Sequence, residues 1–375
     1  EYGFVTIETH ARGDAVVEVD GRLRRVSGRT PPLSWVGKQD AAQLGWRIGR
    51  AASKISTSEP WLHPRAERLD HVSFAEWLKN NAFSEEARSY WHYIVESGMC
   101  ASPDDFSPFE VSQQVATLGG LGQLETADQE FFEEGAQTIA ERMAEELGDR
   151  LHLLTPVHEI RHDGRLVEAI TDQDVFYGHR VILALPPQLI GQISFGDDIA
   201  CRRQTRRKDL VLGRVVKNVV VYDHAWWRDA GLSGTAETPN VPVNFLVDTS
   251  NSVGQPGILV ALATGPHAAI LGRMDHETRR AAVLSHVRRV LGDPPARSGA
   301  FFSMDWTSER WSLGGYASRR TIGGWTDQEH ILSPPCGPVH FAGTETATEW
   351  RSYMEGALQS AERSSMEVIN ALKQQ

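Results

Sequence analysis

Residues with the types and spacing of an anion-binding turn lie near the end of the sequence. The apolar stretch 338–342 predicts a short strand, Gly343, Thr344 and Glu345 follow it, and an amphipathic pattern beginning near Met354 predicts a final helix. In such a strand–turn–helix arrangement, free backbone N–H groups and the positive end of the helix dipole point at one place. This block is therefore a candidate site for an anionic cofactor.

A single lysine, Lys217, interrupts an apolar strand pattern at residues 215–221. Burial of an ammonium group costs several kcal/mol unless the group is paired or neutralised. Two interpretations stay open from these residues. Lys217 is either an edge-strand residue that points to water, which the rarity of buried lysine favours, or a residue that faces a site.

Aromatic residues gather at two further places. Trp306, Trp311 and Tyr316 lie in one segment, and Tyr353 lies just before the final helix. Such clusters ordinarily belong to a hydrophobic core. The faces of such rings can also attract a cation, by ~0.5–2 kcal/mol.

Composition and charge argue against several classes of protein. The chain of 375 residues has a formal net charge of -11, whereas a nucleic-acid partner would need a basic face. The short basic run at 202–208 indicates a solvated surface. Cys100, Cys201 and Cys336 are far apart, which fits a reducing compartment and excludes a cysteine zinc site. The sequence has no G-x-S-x-G elbow, no metal-binding histidine pair on a plausible helix, and no apolar run near the ~20 residues of a membrane span.

The order of predicted elements indicates a mixed α/β protein. The run 180–185 is nearly all apolar, which predicts a strand buried on both faces, as in a parallel sheet. We therefore predict an α/β (α+β mixed) fold with two interleaved domains. The other predicted elements are a hairpin at 14–27 with its turn at Asp20-Gly21, a mostly helical region at 30–110 with a capping-box pattern at 73–76, and helices at 136–147 and 278–291. Strands are predicted at 151–161 and 166–170, joined by a hairpin turn at Asp163-Gly164, and at 215–221 and 258–263.

The glycine fingerprint of dinucleotide-binding units, G-x-G-x-x-G between a strand and a helix, does not occur in the sequence. The glycines at 119–122 lack both a preceding strand and the third glycine, so we interpret them as a loop. The sequence therefore provides no complete binding site for the adenosine half of a dinucleotide.

The order F-A-G-T-E-T-A, W-x-x-Y-M-E-G and A-x-x-S-A-E-R at residues 341–363 resembles the flavin-dependent monoamine oxidase family. The resemblance covers essentially the whole sequence and implies FAD as the cofactor. Gly315 stands where some members have a cysteine bonded to the flavin, so the FAD would be held non-covalently. The implied domains are a partial Rossmann-like FAD-binding domain without its first βαβ unit (134–207 plus 309–375), and a substrate-binding domain with a mixed sheet flanked by helices (1–133 plus 208–308).

The resemblance also implies roles for individual residues. Lys217 would hold a water near flavin N5 and assist reoxidation by oxygen or imine hydrolysis. Tyr316 and Tyr353 would form a cage around the substrate amine, although Arg351 and Ser352 depart from the small Ser-Gly pair more usual before this tyrosine. The implied cofactor contacts are Val157 with the adenine, Trp306 and Trp311 near the isoalloxazine, Gly343, Thr344 and Glu345 with the diphosphate and ribityl chain, and the Met354 N–H with the pyrimidine end.

The implied activity is oxidation of a primary or secondary amine. The amine would pass a hydride from its α-carbon to flavin N5, the imine would hydrolyse to an aldehyde or ketone, and O2 would reoxidise the flavin to give H2O2. Two alternatives stay open: an L-amino-acid oxidase, for which Arg351 is a conceivable carboxylate clamp, and an inactive relative that acts as a binding module. We further expect a cytoplasmic protein that could form a homodimer, and a separate N-terminal chain or segment that completes the FAD site.

Overall fold

A computed structural model of the protein describes residues 2–19, 21–28, 32–124, 129–163, 165–195, 209–295, 299–327 and 332–374. The predicted basic run at 202–208, Cys201 and the central residues of two predicted hairpin turns, Asp20 and Gly164, lie outside the described residues.

Helices and strands alternate along the described chain. The helices are α1 (Trp35–Ala52), α2 (Ala66–Asp70), α3 (Phe74–Asn81), α4 (Glu85–Met99), α5 (Pro108–Thr117), α6 (Leu121–Leu124), α7 (Gln137–Leu147), α8 (Pro187–Ile190), α9 (Trp226–Asp229), α10 (Pro266–Gly272), α11 (His276–Leu291) and α12 (Met354–Lys373). The strands are β1 (Thr6–Glu8), β2 (Asp14–Val19), β3 (Arg22–Ser27), β4 (Glu130–Phe132), β5 (Glu159–His162), β6 (Val167–Ile170), β7 (Val175–Gly178), β8 (Val181–Ala184), β9 (Ser194–Phe195), β10 (Leu210–Leu212), β11 (Val215–Tyr222), β12 (Leu232–Glu237), β13 (Phe245–Asp248), β14 (Gly257–Thr264), β15 (Ala300–Asp305), β16 (Ser318–Arg320) and β17 (Val339–Ala342).

The largest sheet has seven strands in the order β15-β11-β14-β13-β12-β2-β3. It is mixed, because β2 and β12 run parallel while the other neighbours are antiparallel. Side chains at alternate positions of its strands point to the same face. On one face Leu246 and Leu259 pack with Val283 and Val287 of α11, and all four side chains are fully buried. We call this sheet, together with α9, α10 and α11, the large-sheet half. The predicted mixed sheet flanked by helices is thus confirmed.

Helices α1 to α5 form a separate helical layer around a core that includes Leu44, Phe74 and Phe106. The predicted capping pattern at residues 73–76 is present, since Ser73 Oγ accepts a hydrogen bond from the Glu76 N–H at 3.0 Å. The same local rule starts three other helices, whose N-cap serines are Ser34, Ser84 and Ser107. The glycines at 119–122 follow α5, but Gly122 lies in α6 and not in a loop.

The sheets outside the seven-stranded sheet are smaller. Strands β8 and β17 form a parallel pair with Val181 opposite Val339, and a four-stranded sheet has the order β7-β6-β5-β9. We call these strands with α7, α8 and α12 the small-sheet half. All four residues of β17 are buried, but Ile182 of β8 is 37% exposed, so the prediction of burial on both faces was wrong for 180–185.

The small-sheet half leaves a set of apolar side chains uncovered among the described residues. Helix α7 contains no buried residue, and Leu154, in the loop after it, is 96% exposed. Contiguous exposed apolar surface is typical of an interaction site. The other large apolar side chains exposed here are Met143, Leu147, Leu151, Leu153, Val175, Tyr177, Ile182, Met354, Leu358, Met366, Ile369 and Leu372.

Candidate active site

The turn after β17 has the geometry of a site for a bound group. Gly343 has a φ of 121°, a conformation that suits glycine, and its N–H donates to Ser360 Oγ of α12 at 2.9 Å. Thr344 Oγ1 is buried and has no hydrogen-bond partner within the described residues. A buried hydroxyl without a partner is costly, so this atom is well placed to bind a polar ligand.

The start of α12 is also open to a ligand. Tyr353 is the N-cap residue, and its side chain forms no capping hydrogen bond. Gly356 lies so close to the preceding turn that a Cβ there would be 2.3 Å from Trp350 O. The helix has 20 residues, so the partial positive charge at its first turn can stabilise an electron-rich acceptor near the Met354 N–H.

The turn before Tyr353 is strained. Trp350 has a φ of 50° and Ser352 a φ of 74°, which cost ~1–3 kcal/mol each in a residue other than glycine. The backbone of this turn is fixed by the helical layer, because Gln114 Nε2 donates to Arg351 O at 2.7 Å. Ser352 therefore stands at a position whose backbone conformation glycine would adopt without strain. The contact with the helical layer holds the turn in this conformation instead.

The segment that carries Tyr316 packs against the face of the large sheet opposite α11, which we call the open face. The Gly315 N–H donates to Gly213 O at 3.0 Å, and a Cβ on Gly213 would lie 2.1 Å from Gly315 O, so only glycine fits there. A Cβ on Gly315 would lie 3.0 Å from Val215 Cγ1. Val215 and Lys217 point to the same face because side chains alternate along β11. The segment Gly315–Tyr316 and Lys217 are therefore on one side of the sheet.

Lys217 lies in an interior strand. Strand β11 pairs with β14 on one side and β15 on the other, which places Lys217 between Leu262 and Met304. The interpretation as an edge-strand lysine was therefore wrong. The side chain is exposed, and its ammonium group forms no hydrogen bond or ion pair within the described ranges. An unpaired cation is thus held at a fixed position on the open face.

The segments that carry Tyr316 and Tyr353 are joined by hydrogen bonds. Arg351 Nη2 donates to Ser318 O at 3.0 Å, and Ser318 Oγ donates to Glu345 Oε1 at 3.0 Å. Each tyrosine is two residues from this junction. Glu345, expected near the ribityl chain, uses one carboxylate oxygen to hold the junction together.

The guanidinium of Arg351 is buried, with 4% exposure, and bound to protein groups. It donates to Gln113 Oε1 at 2.6 Å and to Glu110 Oε1 at 2.9 Å, in addition to Ser318 O, and stacks over Trp325. These contacts use three of its five N–H donors and its stacking face. Arg351 is therefore a structural connection between α5 and the turn before α12 and is not available as a carboxylate clamp.

Cys100 is a site neighbour that the sequence did not reveal. It ends α4 in a left-handed conformation with φ of 51°, is fully buried, and accepts a hydrogen bond at its backbone O from Arg214 N. Burial raises the pKa of its thiol to about 12, although hydrogen bonds from the Tyr316 backbone and side chain act in the opposite direction. Cys100 thus remains a thiol that packs against Tyr316. Only the contact between α4 and residue 316, distant in sequence, shows this.

The predicted flavin neighbours are spread over an exposed surface. Trp306 is 36% exposed, Trp311 52%, Tyr316 56% and Met354 57%. The predicted strand 151–161 is shorter than expected, because β5 begins only at Glu159. Val157 therefore lies just before β5, outside any strand. Neither its N–H nor its C=O forms a hydrogen bond within the part of the chain that the structure describes. Its backbone is free to pair with a ligand.

These features fit a flavin. An unpartnered buried hydroxyl at Thr344, an uncapped helix start at Met354 and exposed aromatic faces at Trp306 and Trp311 match a molecule with a polar chain and a planar ring. Among the described residues, no cluster of His, Cys, Asp or Glu could hold a metal ion. No described helix is long and apolar enough to cross a membrane.

Comparison with known proteins identifies the family. The profile of flavin-containing amine oxidoreductases matches residues 4–369. This chain belongs to that family. A Mycobacterium tuberculosis protein, provisionally named as a flavin-containing monoamine oxidase, is 32% identical over 99% of this chain and 82% of its own length. An L-amino acid dehydrogenase of Synechocystis is 30% identical over 95% of this chain and 76% of its own length.

A solved structure of a relative shares the fold. Putrescine oxidase bound to putrescine superposes with a TM-score of 0.92 at 29% identity, covering 98% of this chain and 83% of that chain. The predicted α/β fold, the family resemblance and the assignment as an FAD-dependent oxidoreductase are thus confirmed. The domain boundaries and the individual site residues stay predictions.

Proposed function

We propose that the protein oxidises a primary or secondary amine to an imine with non-covalently bound FAD, which accepts the hydride and passes the electrons to O2. One observation carries this proposal. The Gly315–Val215 contact places Tyr316 on the same face of the sheet as the unpaired Lys217. An aromatic face and a free ammonium on one surface suit a neutral amine that must be oriented beside a water-binding group.

Each residue of the site has a distinct part in this proposal. Tyr316 and Tyr353 orient the amine nitrogen between their rings, and Lys217 holds a water that later attacks the imine carbon. The open first turn of α12 provides the Met354 N–H and a positive dipole that stabilises negative charge. Gly343 and Thr344 bind the polar chain of the cofactor, and Val157 binds its adenine through backbone groups.

Oxidation of L-amino acids is the second candidate, because one relative is named an L-amino acid dehydrogenase. This reaction needs a cation for the substrate carboxylate. The commitment of Arg351 to Glu110, Gln113 and Ser318 favours simple amines over amino acids.

We further propose that a segment carrying a dinucleotide fingerprint covers the exposed apolar surface of the small-sheet half. The exposed side chains of α7, α12 and Ile182 would bury against it. Such a segment would bind the adenosine half of FAD through a G-x-G-x-x-G fingerprint, which does not occur in this sequence. A cytoplasmic location also belongs to the proposal, since the two described cysteines, Cys100 and Cys336, are free.

The experiment loads the chain with FAD and measures bound flavin absorbance and H2O2 release with primary amines. Lys217→Met should retain flavin and lower peroxide release by about a hundredfold, the scale of a lost acid–base group. Lys38→Met, an exposed lysine of α1, is the matched control and should behave as the wild type.

Three outcomes would contradict the proposal or a part of it. If the protein binds FAD but oxidises no amine, a binding module is favoured. If amino acids are oxidised and simple amines are not, the second candidate replaces the first. Equal activity of Lys217→Met and the control would remove the role given to Lys217.

A further inference from the structure

One face of α5 consists of polar side chains that are buried inside the protein. The residues of this face, spaced i, i+3, i+4 and i+7 along the helix, are Glu110, Gln113, Gln114 and Thr117. Gln114 is partly buried, and the other three are at most 3% exposed. A polar helix face ordinarily points to water, so a buried one needs partners within the protein. We call these four residues the polar face of α5.

Two residues of this face hold the turn before α12. The Trp350 N–H donates to Thr117 O at 2.8 Å, and Gln114 Nε2 donates to Arg351 O at 2.7 Å. Ser352 Oγ donates to Gln114 Oε1 at 3.3 Å. Gln114 therefore binds this turn with both ends of its side-chain amide.

These hydrogen bonds oppose the strain in the turn. The left-handed backbone of Trp350 and Ser352 is unfavourable for residues other than glycine. The net stabilisation from three hydrogen bonds is of the same order as this strain, so loss of the two bonds at Gln114 would allow the turn to relax. Tyr353 is the next residue, and its ring contacts the Trp350 ring edge-on at 5.6 Å. A relaxed turn would therefore move Tyr353.

The polar face of α5 also binds the segment that carries Tyr316. Arg351 Nη2 donates to Glu110 Oε1 at 2.9 Å and to Ser318 O at 3.0 Å. One guanidinium nitrogen thus joins the helix to the backbone two residues after Tyr316. The helix contacts the turn before Tyr353 directly and the Tyr316 segment through Arg351.

Further buried contacts fix α5 itself. Glu110 Oε2 accepts a hydrogen bond from Trp325 Nε1 at 2.6 Å. Ser107, the N-cap residue, donates from its hydroxyl to Asp70 Oδ1 at 2.8 Å. Phe109 is fully buried and packs edge-on against the Trp325 ring. A group that is itself held by packing and hydrogen bonds can position its neighbours precisely, so α5 is suited to fix both aromatic segments.

We propose that the polar face of α5 sets the separation and tilt of the Tyr316 and Tyr353 rings, with Gln114 as the positioning residue for Tyr353. In this role Gln114 contacts the turn rather than the substrate. Misplacement of a substrate-orienting group by about 1 Å can lower a rate by about a hundredfold. The inference rests on the proposed amine oxidation, because it explains how the aromatic cage of that site is held.

The experiment compares variants of the FAD-loaded protein well below the Tm of each. Gln114→Met removes both side-chain hydrogen bonds to the turn and keeps a similar side-chain length. It should lower kcat for a primary amine by about tenfold with KM and flavin content nearly unchanged, because orientation matters most in the transition state. Gln43→Met is the matched control and should retain the wild-type kcat. Gln43 is a partly buried residue of α1 whose Nε2 also donates to a backbone carbonyl, Asn81 O, at 3.0 Å.

The double variant Gln114→Met/Ser352→Gly tests the link between the strain and the hydrogen bonds. Glycine adopts the φ of 74° at position 352 without strain. The turn then no longer depends on Gln114, and most of the lost kcat should return. A double variant with the same low kcat as Gln114→Met would overturn the proposal.

Near-UV circular dichroism provides a readout without turnover, because it reports fixed aromatic packing such as the contact between Trp350 and Tyr353. The spectrum should change in Gln114→Met, return in the double variant and stay as in the wild type in Gln43→Met. If no amine is oxidised, the proposed function fails, and the spectrum still tests the position of Tyr353. If Gln114→Met keeps the wild-type kcat and spectrum, or if Gln43→Met lowers kcat equally, the role of Gln114 is overturned.

Discussion

The large-sheet half and the small-sheet half bury their apolar residues to different extents. In the large-sheet half, Leu246, Leu259 and Val287 are fully buried between the sheet and its helices. In the small-sheet half, β17 is buried, yet α7 contributes no buried residue and Leu358 of α12 is 55% exposed. A sheet of seven strands with helices on one face closes its own core, whereas a parallel pair needs cover on both faces. The small-sheet half is therefore the region against which the proposed further segment would pack.

Breaking the contact of Arg351 with Glu110 tests how the small-sheet half is attached to the helical layer. Arg351→Met removes the cation of a buried pair and leaves Glu110, which is fully buried, without its ion-pair partner. We expect a loss of about 3–5 kcal/mol in the free energy of unfolding, measured by urea titration.

The double variant Arg351→Met/Glu110→Gln is the control for this prediction. It should recover part of the loss, because no uncompensated charge remains buried. A single variant as stable as the wild type would show that the attachment does not depend on this pair.

Acid should weaken the large-sheet half through His286 of α11. Burial, followed by Arg289, lowers the pKa of this histidine from 6.5 to about 4. The unfolded chain takes up a proton at a higher pH than the folded chain, so this contribution to stability is present above pH 6.5 and is lost as pH falls toward about 4. The full loss is about 3 kcal/mol.

Urea titrations at the two ends of this pH window, followed by tryptophan fluorescence, measure that loss. His286→Gln should show a smaller pH dependence, since glutamine can replace the hydrogen bond with Thr238 Oγ1 without titrating. An identical pH dependence in both proteins would assign the acid sensitivity to other groups.

Polar substitutions on the exposed surface of the small-sheet half should have the smallest effect. Leu154→Asn and Leu358→Gln should change the free energy of unfolding by less than about 0.5 kcal/mol, because neither side chain is buried. Leu246→Ala in the large-sheet half, the matched apolar substitution, should cost about 2–5 kcal/mol. Urea unfolding of the three variants checks the contrast. Large losses for Leu154→Asn or Leu358→Gln would show that this surface is already covered in the folded chain.

Local features were predicted well from the sequence. The Ser73 cap, the β2–β3 hairpin and the turn at Gly343 each depend on neighbouring residues, whose side chains and backbone decide the outcome by themselves. The site turn was found for this reason.

Features that depend on distant residues were missed. The interior position of Lys217 follows from the pairing of β11 with both β14 and β15, and the pattern of a single strand does not contain its neighbours. Cys100 lies next to the candidate site because it contacts Tyr316, and Arg351 holds the turn before α12 because it binds Glu110. Sequence spacing carries no signal for such contacts.

The sequence by itself determined the family and pointed to the chemical groups of the candidate site. Its motifs specify Gly343, Lys217, Tyr316 and Tyr353, because a turn, a strand and a helix start each have a local signature. The tertiary structure alone decided which groups meet: the pairing of β11 with both β14 and β15 places Lys217 inside the large sheet, and close glycine packing brings the segment of Tyr316 to the same face. Strand register and close packing join residues far apart in the chain, so they exist only in the folded molecule.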